Sequence, residues 1–191
     1  MVIKNVAFDS GGVLIFTNNF IDYFIKNLLE NNIAISKTDF LDSLSLAESG
    51  TKKLSEVYKN IDGFENLWIE ALENNAKYNF ELLNYYKNVL AKRVDAGILS
   101  NVDSILAKSG INKNLYKIFD SVILSCNIGY AKPCQEIYYE YLKKVNLPPE
   151  KVLFIEDKQE YIDVANDIGF ETIHFINTQK TIEEIKKIIL N

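Results

Sequence analysis

The chain has 191 residues, with 21 basic against 26 acidic side chains and a formal charge of −5. With 48% hydrophobic residues and no proline-rich or serine-rich tract, the composition excludes an intrinsically disordered protein. The acidic balance argues against nucleic acid as a partner, because binding to a phosphate backbone needs clustered lysine and arginine. The length accommodates one core and a small accessory domain.

Neither a secretion signal nor a membrane anchor is indicated. Residues 1–8 lack a basic segment followed by an apolar stretch, and no run reaches about 18 apolar residues. We therefore expect a cytoplasmic protein that does not bind membranes; the oligomeric state stays open. The single histidine, His174, argues against a zinc site or a histidine-based triad. Catalysis would then depend on Asp, Glu, Ser, Lys or a metal ion.

The first half of the chain is predicted to be one strand followed by helices. Residues 2–8 form a short apolar run typical of a strand. Between Val13 and Asp95 there is no proline and there are only two glycines, and apolar residues recur at helical spacing. This stretch predicts about four helices.

The second half alternates strand-length apolar runs with helical patterns. Strands are predicted at residues 96–100, 121–125, 151–155 and 170–175, and helices at residues 137–145 and 161–168. Such alternation predicts an α/β fold with a five-stranded parallel, Rossmann-like sheet covered by helices on both faces.

The helical stretch after the first strand is predicted to be an inserted, all-helical cap. We expect the cap to span residues 16–85 and the core to comprise residues 1–15 and 86–191. Open α/β sheets bind ligands at the carboxyl ends of their strands, so the cap would cover that edge. It contains six lysines against eleven acidic residues and so carries the whole net charge. That acidity disfavours polyanionic ligands at the entrance.

Polar residues follow four of the predicted strands, at the point where each strand ends. They are Asp9 with Gly11 and Gly12, the pair Ser100 and Asn101, Lys132 before Pro133, and the acids Glu156 and Asp157. Parallel strands end at one edge of a sheet, so these residues are expected to converge there. Two acids directly after an apolar strand are costly to bury unless they are paired or bind a metal ion.

These four segments resemble the four motifs of the haloacid dehalogenase superfamily of phosphatases and related hydrolases. The corresponding residues are 8–14 (FDSGGVL), 98–101 (ILSN), 131–133 (AKP) and 154–157 (FIED). Their order, spacing and strand context fit the family over nearly the whole chain. A helical cap between the first two motifs fits as well.

The resemblance implies hydrolysis of a phosphomonoester through a covalent intermediate. Asp9 would attack phosphorus and form an aspartyl phosphate. A phosphate facing several carboxylates needs cations, and Mg²⁺ suits carboxylate, carbonyl and phosphate oxygens. By the same resemblance its ligands are Asp9, the carbonyl of Gly11 and Asp157, with Glu156 in direct contact or just beyond.

The remaining motif residues are implied to bind the substrate. Lys132 would balance the charge of the site and contact the substrate, while Ser100 and the backbone amide of Asn101 would hold the phosphoryl group. The resemblance implies a small phosphorylated metabolite as the substrate.

Two positions depart from the family pattern. Gly11 stands where phosphatases of the family carry an acid–base Asp, and Tyr161 stands where many relatives have Asp or Asn. Two alternatives therefore stay open. One is a catalytically weak or inactive protein that binds a phosphorylated ligand. The other is a 2-haloacid dehalogenase, which needs a cation at the entrance, whereas the sole arginine, Arg93, lies outside the predicted cap.

Overall fold

A computed structural model describes residues 2–190, and its centre is a five-stranded parallel sheet. The strands are β1 (Asn5–Phe8), β4 (Asp95–Ser100), β5 (Ser121–Leu124), β6 (Val152–Glu156) and β7 (Glu171–His174). Across the sheet they lie in the order β5-β4-β1-β6-β7. Every residue of β1 and β6 is buried, as expected for central strands covered on both faces. All five predicted strands and their parallel arrangement are confirmed.

Helices cover both faces of this sheet. They are α5 (Phe80–Asn88), α6 (Gly110–Tyr116), α7 (Ser125–Ile128), α8 (Gln135–Val145), α9 (Gln159–Ile168) and α10 (Thr178–Ile185). Short 3-10 turns occur at Leu90–Lys92, Leu106–Lys108 and Pro149–Lys151, and a π-helical turn at Lys186–Leu190. Side chains alternate along β1, so that Phe8 joins the apolar cluster containing α5 and α10, and Ala7 the cluster containing α8 and α9.

Four helices follow β1 and form a separate helical layer. They are α1 (Phe20–Glu30), α2 (Lys37–Glu48), the short α3 (Leu54–Val57) and α4 (Phe64–Asn75). Their inward faces meet around Trp68, whose ring centroid lies 4.8 Å from that of Phe24 and 5.1 Å from that of Phe40. These three side chains are at most 1% exposed, so the aromatic residues of the segment mainly build its interior.

An antiparallel two-stranded ribbon joins the helical layer to the sheet. It pairs β2 (Ile15–Thr17) with β3 (Ala76–Tyr78). The sequence analysis did not predict it, because three-residue strands are too short to show an alternating pattern. The expected boundary between residues 85 and 86 falls inside α5, where Tyr86 packs edge-on against Phe8 of the sheet. We therefore propose that the cap is residues 18–75, between the two strands of the ribbon.

A buried asparagine anchors the ribbon to the core. The Asn79 side chain donates to the Val13 carbonyl at 2.9 Å and to Thr178 Oγ1 at 3.0 Å. Its Oδ1 accepts from the backbone N–H of Leu82 at 3.2 Å and so caps α5. One side chain thereby joins the loop after β1, the end of the ribbon and the start of α10. None of the helices within residues 2–190 has the length and apolar character needed to cross a bilayer.

Replacing this anchor is expected to destabilise the whole protein. Asn79→Ala should lower the free energy of unfolding by about 2 to 4 kcal/mol, because it removes a helix cap and leaves buried polar groups unpaired. Asn177→Ala is the matched control, since Asn177 caps α10 by accepting only from the Lys180 N–H. That control should lose about 1 kcal/mol. Urea titration measures both, and equal losses would contradict the anchoring role of Asn79.

Candidate active site

The sequence-predicted site residues converge on one cavity at the carboxyl edge of the sheet. The cavity has a volume of about 250 Å³ and lies between the strand ends and the helical layer. Asp9 follows β1, Ser100 ends β4 and Glu156 ends β6. All seven predicted residues line the cavity: Asp9, Gly11, Ser100, Asn101, Lys132, Glu156 and Asp157.

Lys132 connects the two most buried acids of the site. Its Nζ donates to Asp9 Oδ1 at 2.6 Å, to Glu156 Oε2 at 2.5 Å and to the Leu99 carbonyl at 3.0 Å. The residue is 3% exposed, so these contacts are shielded from solvent. An ammonium group has three donors, and all three are used here. Lys132 is therefore held rigidly beside Asp9.

Glu156 is fully engaged by the protein. One carboxylate oxygen pairs with Lys132, while the other accepts from the backbone N–H groups of Asp157 at 3.0 Å and Lys158 at 3.1 Å. These two amides orient the turn that follows β6. Asp9 and Asp157 are consequently the carboxylates better placed to offer free oxygen atoms to an external cation.

Asn101 has a structural role that the sequence analysis did not predict. Its Oδ1 accepts from the Lys132 N–H at 2.8 Å, and its Nδ2 donates to the Lys132 carbonyl at 2.9 Å. This pair of bonds fixes the backbone of the Lys132 loop against the end of β4. Tyr161 packs beside the same lysine, with its ring centroid 5.2 Å from Lys132 Nζ and 4.9 Å from Lys158 Nζ. The tyrosine thus contacts two cations of the site.

Burial and the crowding of carboxylates raise the pKa of two acids of the site. Oxygen atoms of Asp9, Glu156 and Asp157 lie within 4.8 Å of one another. Burial and the negative charge of Glu156 raise the pKa of Asp9 to about 7, and burial with the neighbouring Glu156 raises the pKa of Asp157 to about 6. Burial opposes the charge on Lys132, but the Asp9 and Glu156 carboxylates raise its pKa above the ordinary value. A further cation would relieve the remaining repulsion.

The two glycines after Asp9 meet different steric demands. Gly12 has a φ of +91°, and a Cβ built on it would lie 2.4 Å from Asp157 Oδ2. Glycine is therefore required where this loop passes the acid pair. At Gly11 a Cβ would meet no atom within 4 Å, so a side chain has room there. Gly11 departs from the family pattern because it carries no acid, and the open space around it shows that a larger side chain would not be excluded sterically.

A buried hydrogen bond fastens the helical layer over the site. Trp68 of α4 donates its Nε1–H to Asp103 Oδ2 at 3.1 Å. The other oxygen of Asp103 accepts from the backbone N–H groups of Ile105 at 2.8 Å and Leu106 at 3.2 Å. Asp103 is 1% exposed and lines the cavity. All of its oxygen atoms are satisfied, so it acts as a structural link.

Two further charged side chains at the cavity were missed from the sequence. Glu48 is the last residue of α2, and Lys158 follows the acid pair Glu156 and Asp157. Glu48 is one of eleven acids in the segment predicted as the cap, and no local pattern distinguishes it. Lys158 adjoins a recognised motif, and that position was the available signal.

Two of the known proteins that this chain resembles are named as phosphatases. The chain is 24% identical to a D-ribitol-5-phosphate phosphatase of Bacteroides thetaiotaomicron over 210 aligned positions, covering 100% of both chains. It is 26% identical to a phosphorylated carbohydrates phosphatase of Thermotoga maritima, covering 74% of this chain and 71% of the relative.

Solved structures share the fold of this chain. A haloacid dehalogenase family enzyme of Bacteroides thetaiotaomicron, in complex with magnesium, superposes with a TM-score of 0.73. It is 24% identical and covers 91% of this chain and 93% of that one. The haloacid dehalogenase-like hydrolase family matches residues 3–169. The chain therefore belongs to the haloacid dehalogenase-like hydrolases, as its four motifs indicated.

Proposed function

We propose that this hydrolase is a magnesium-dependent phosphomonoesterase that acts on a small phosphorylated metabolite through an aspartyl phosphate. The observation that carries the proposal is the convergence of Asp9, Lys132, Glu156 and Asp157 in one cavity. A volume of about 250 Å³ suits a small ligand. The relatives named for D-ribitol 5-phosphate and for phosphorylated carbohydrates support a sugar or polyol phosphate.

The donor set fits Mg²⁺. Asp9 and Asp157 would hold the ion together with the carbonyl of Gly11, while Glu156, whose oxygens are occupied, would lie just beyond. Hard carboxylate and carbonyl oxygens are the ligands that Mg²⁺ prefers. Burial and the nearby Glu156 carboxylate raise the pKa of Asp9 and of Asp157, and a bound divalent cation would favour the charged form of both groups. When bound, the ion would supply charge neutralisation at the phosphate oxygens.

Asp9 is the proposed nucleophile. Lys132 holds Oδ1, and no other hydrogen bond to the described residues restrains Oδ2. As the bond between this carboxylate and phosphorus forms, the bond from phosphorus to the ester oxygen breaks, and the departing alkoxide must take up a proton to become the alcohol. Water then attacks the phosphorus of the acyl phosphate, which releases phosphate and restores Asp9. Lys132 keeps the carboxylate oriented throughout.

Ser100 and the backbone amide of Asn101 are proposed to bind the transferring phosphoryl group. Ser100 is 2% exposed, and its hydroxyl makes only a long contact of 3.4 Å with the Asn101 carbonyl. The hydroxyl is therefore available to donate to a phosphate oxygen. The Asn101 side chain is committed to the Lys132 loop, so we propose that this residue contacts the substrate through its backbone N–H instead.

The two alternative functions make different demands on the same cavity. A 2-haloacid dehalogenase needs a cation at the entrance. Arg93 does not supply it, because it precedes β4 at the opposite end of the strand and donates to the Val89 carbonyl. A ligand-binding protein without turnover is favoured by Gly11, which carries no acid. An assay decides between these and the proposed activity.

Phosphate release from p-nitrophenyl phosphate tests the proposed activity. We expect release that depends on Mg²⁺ and disappears with EDTA, because the aryl leaving group hardly needs protonation. Asp9→Asn should reduce the rate to background, since the amide cannot form the acyl phosphate. Asp95→Asn, at the opposite end of the sheet, is the matched control and should keep the activity.

The same assay separates the alternatives. No Mg²⁺-dependent release at high enzyme concentration would favour the non-catalytic binding protein. Halide release from 2-chloropropionate that exceeds phosphate release would indicate a dehalogenase. A panel of D-ribitol 5-phosphate, glycerol 2-phosphate and glucose 6-phosphate then defines the substrate class.

Paired glycine substitutions test the metal site. Gly12→Ala should weaken Mg²⁺ binding by about 10-fold to 100-fold, because the added methyl group displaces Asp157. Gly11→Ala adds the same methyl group in open space and should bind Mg²⁺ with nearly unchanged affinity. Isothermal titration calorimetry measures both proteins. Equal affinities would place the ion away from Asp157.

A further inference from the structure

The proposed activity lacks a proton donor for the leaving group. An alcohol leaves a phosphomonoester as a poor alkoxide unless an acid protonates its oxygen, and such help increases the rate by about 10² to 10⁴. Gly11 cannot provide the proton. The carboxyl groups that line the cavity are the remaining acidic candidates: Asp9, Glu48, Asp103, Glu156 and Asp157.

Four of these acids are already committed. Asp9 is the nucleophile and pairs with Lys132. Both oxygens of Glu156 and both oxygens of Asp103 accept hydrogen bonds from the protein. Asp157 belongs to the carboxylate cluster proposed to hold the metal ion. A group that must donate and recover a proton has to be free of such bonds.

Glu48 is the fifth acid of the cavity and is not committed in this way. It is partly buried at the end of α2, and its carboxyl makes no hydrogen bond or ion pair with any residue of the described range 2–190. The charged groups that influence it are Lys158, Asp103 and Lys132. Burial raises the pKa of Glu48 above its ordinary value despite the opposing charge of Lys158. The protonated form is thus favoured more than in an exposed glutamate.

The position of Glu48 on the cap suits contact with a leaving group. Leu44, one turn earlier on α2, also lines the cavity, so this face of the helix looks towards the site. The hydrogen bond from Trp68 to Asp103 ties the helical layer to the core. Asp9 of the core and Glu48 of the cap line the same cavity. The ester oxygen departs from the side of phosphorus opposite the attacking Asp9, and a departure towards the cap would bring it to Glu48.

We infer that Glu48 is the general acid and base of the reaction, in place of the acid that Gly11 lacks. In the first step the phosphorus–Asp9 bond forms, the ester bond breaks, and the Glu48 proton passes to the departing oxygen. In the second step the Glu48 carboxylate takes a proton from water as the water oxygen bonds to phosphorus and Asp9 leaves. Glu48 returns to its protonated form, and the products are an alcohol and phosphate. This inference rests on the proposed phosphomonoesterase activity.

Leaving-group dependence tests the inference. Glu48→Gln should lower kcat for glycerol 2-phosphate by about 10² to 10⁴. For p-nitrophenyl phosphate the loss should stay below about tenfold, because p-nitrophenolate needs little protonation. A residue that only binds substrate would instead raise KM or slow both esters equally. Adding Gly11→Asp to the Glu48→Gln protein should restore hydrolysis of glycerol 2-phosphate, since the space at residue 11 is open.

Controls separate Glu48 from its neighbours and from the proposed function itself. Glu65→Gln, an exposed glutamate of α4, should leave both rates unchanged. Tyr116→Phe examines a second candidate at the cavity, a buried hydroxyl that has no hydrogen-bond partner among the described residues. Equal losses on both esters in Glu48→Gln, or a selective loss in Tyr116→Phe instead, would overturn the inference. Absence of p-nitrophenyl phosphate hydrolysis in the unmodified protein would overturn the proposed function.

Discussion

The candidate active site at the carboxyl edge of the sheet depends on one buried ammonium group, that of Lys132. Three carboxylates meet where the central strands end, and such a cluster is unstable in a low-dielectric interior unless cations compensate it. Lys132 uses all three donors on Asp9, Glu156 and the Leu99 carbonyl. Its loop is held in turn by both polar atoms of the Asn101 side chain. The position of the Lys132 loop, the charge balance of the site and the orientation of Asp9 therefore all depend on the contacts of this one lysine.

The sheet explains why so few residues suffice to build the site. In a parallel sheet all strands end at one edge, so residues distant in sequence become neighbours without long loops. The loop after β1 packs closely against Asp157 at Gly12, where a side chain would clash, whereas a side chain at Gly11 would have room. The helical layer covers this edge, and the Trp68–Asp103 hydrogen bond ties the layer to the core. Burial is the main cause that raises the pKa of Asp9 and Asp157 at this edge.

Local patterns were enough to predict the five strands and to bring seven residues to one cavity, whereas the roles of these residues came from the family resemblance and stay predictions. Buried strands are continuous apolar runs, and the polar residues that follow them are conspicuous by contrast. The β2–β3 ribbon was missed because its strands are too short to carry a pattern. The roles of the Asn101 side chain, Asp103 and Glu48 were missed for another reason. Each of these roles depends on contacts between segments that are distant in sequence, and the residues next to Asn101, Asp103 and Glu48 in the chain do not indicate those contacts.

A proton donor on the cap, as proposed for Glu48, has a consequence that an acid at residue 11 would not have. The proposed nucleophile and the proposed phosphate-binding groups belong to the core, so phosphoryl transfer to Asp9 would need only the core. Protonation of the leaving group would additionally require α2 to lie over the site. Esters with good leaving groups would then react wherever the cap sits, whereas alkyl phosphates would react only beneath it. Cap position would thereby select the substrate by its chemistry as well as by its shape.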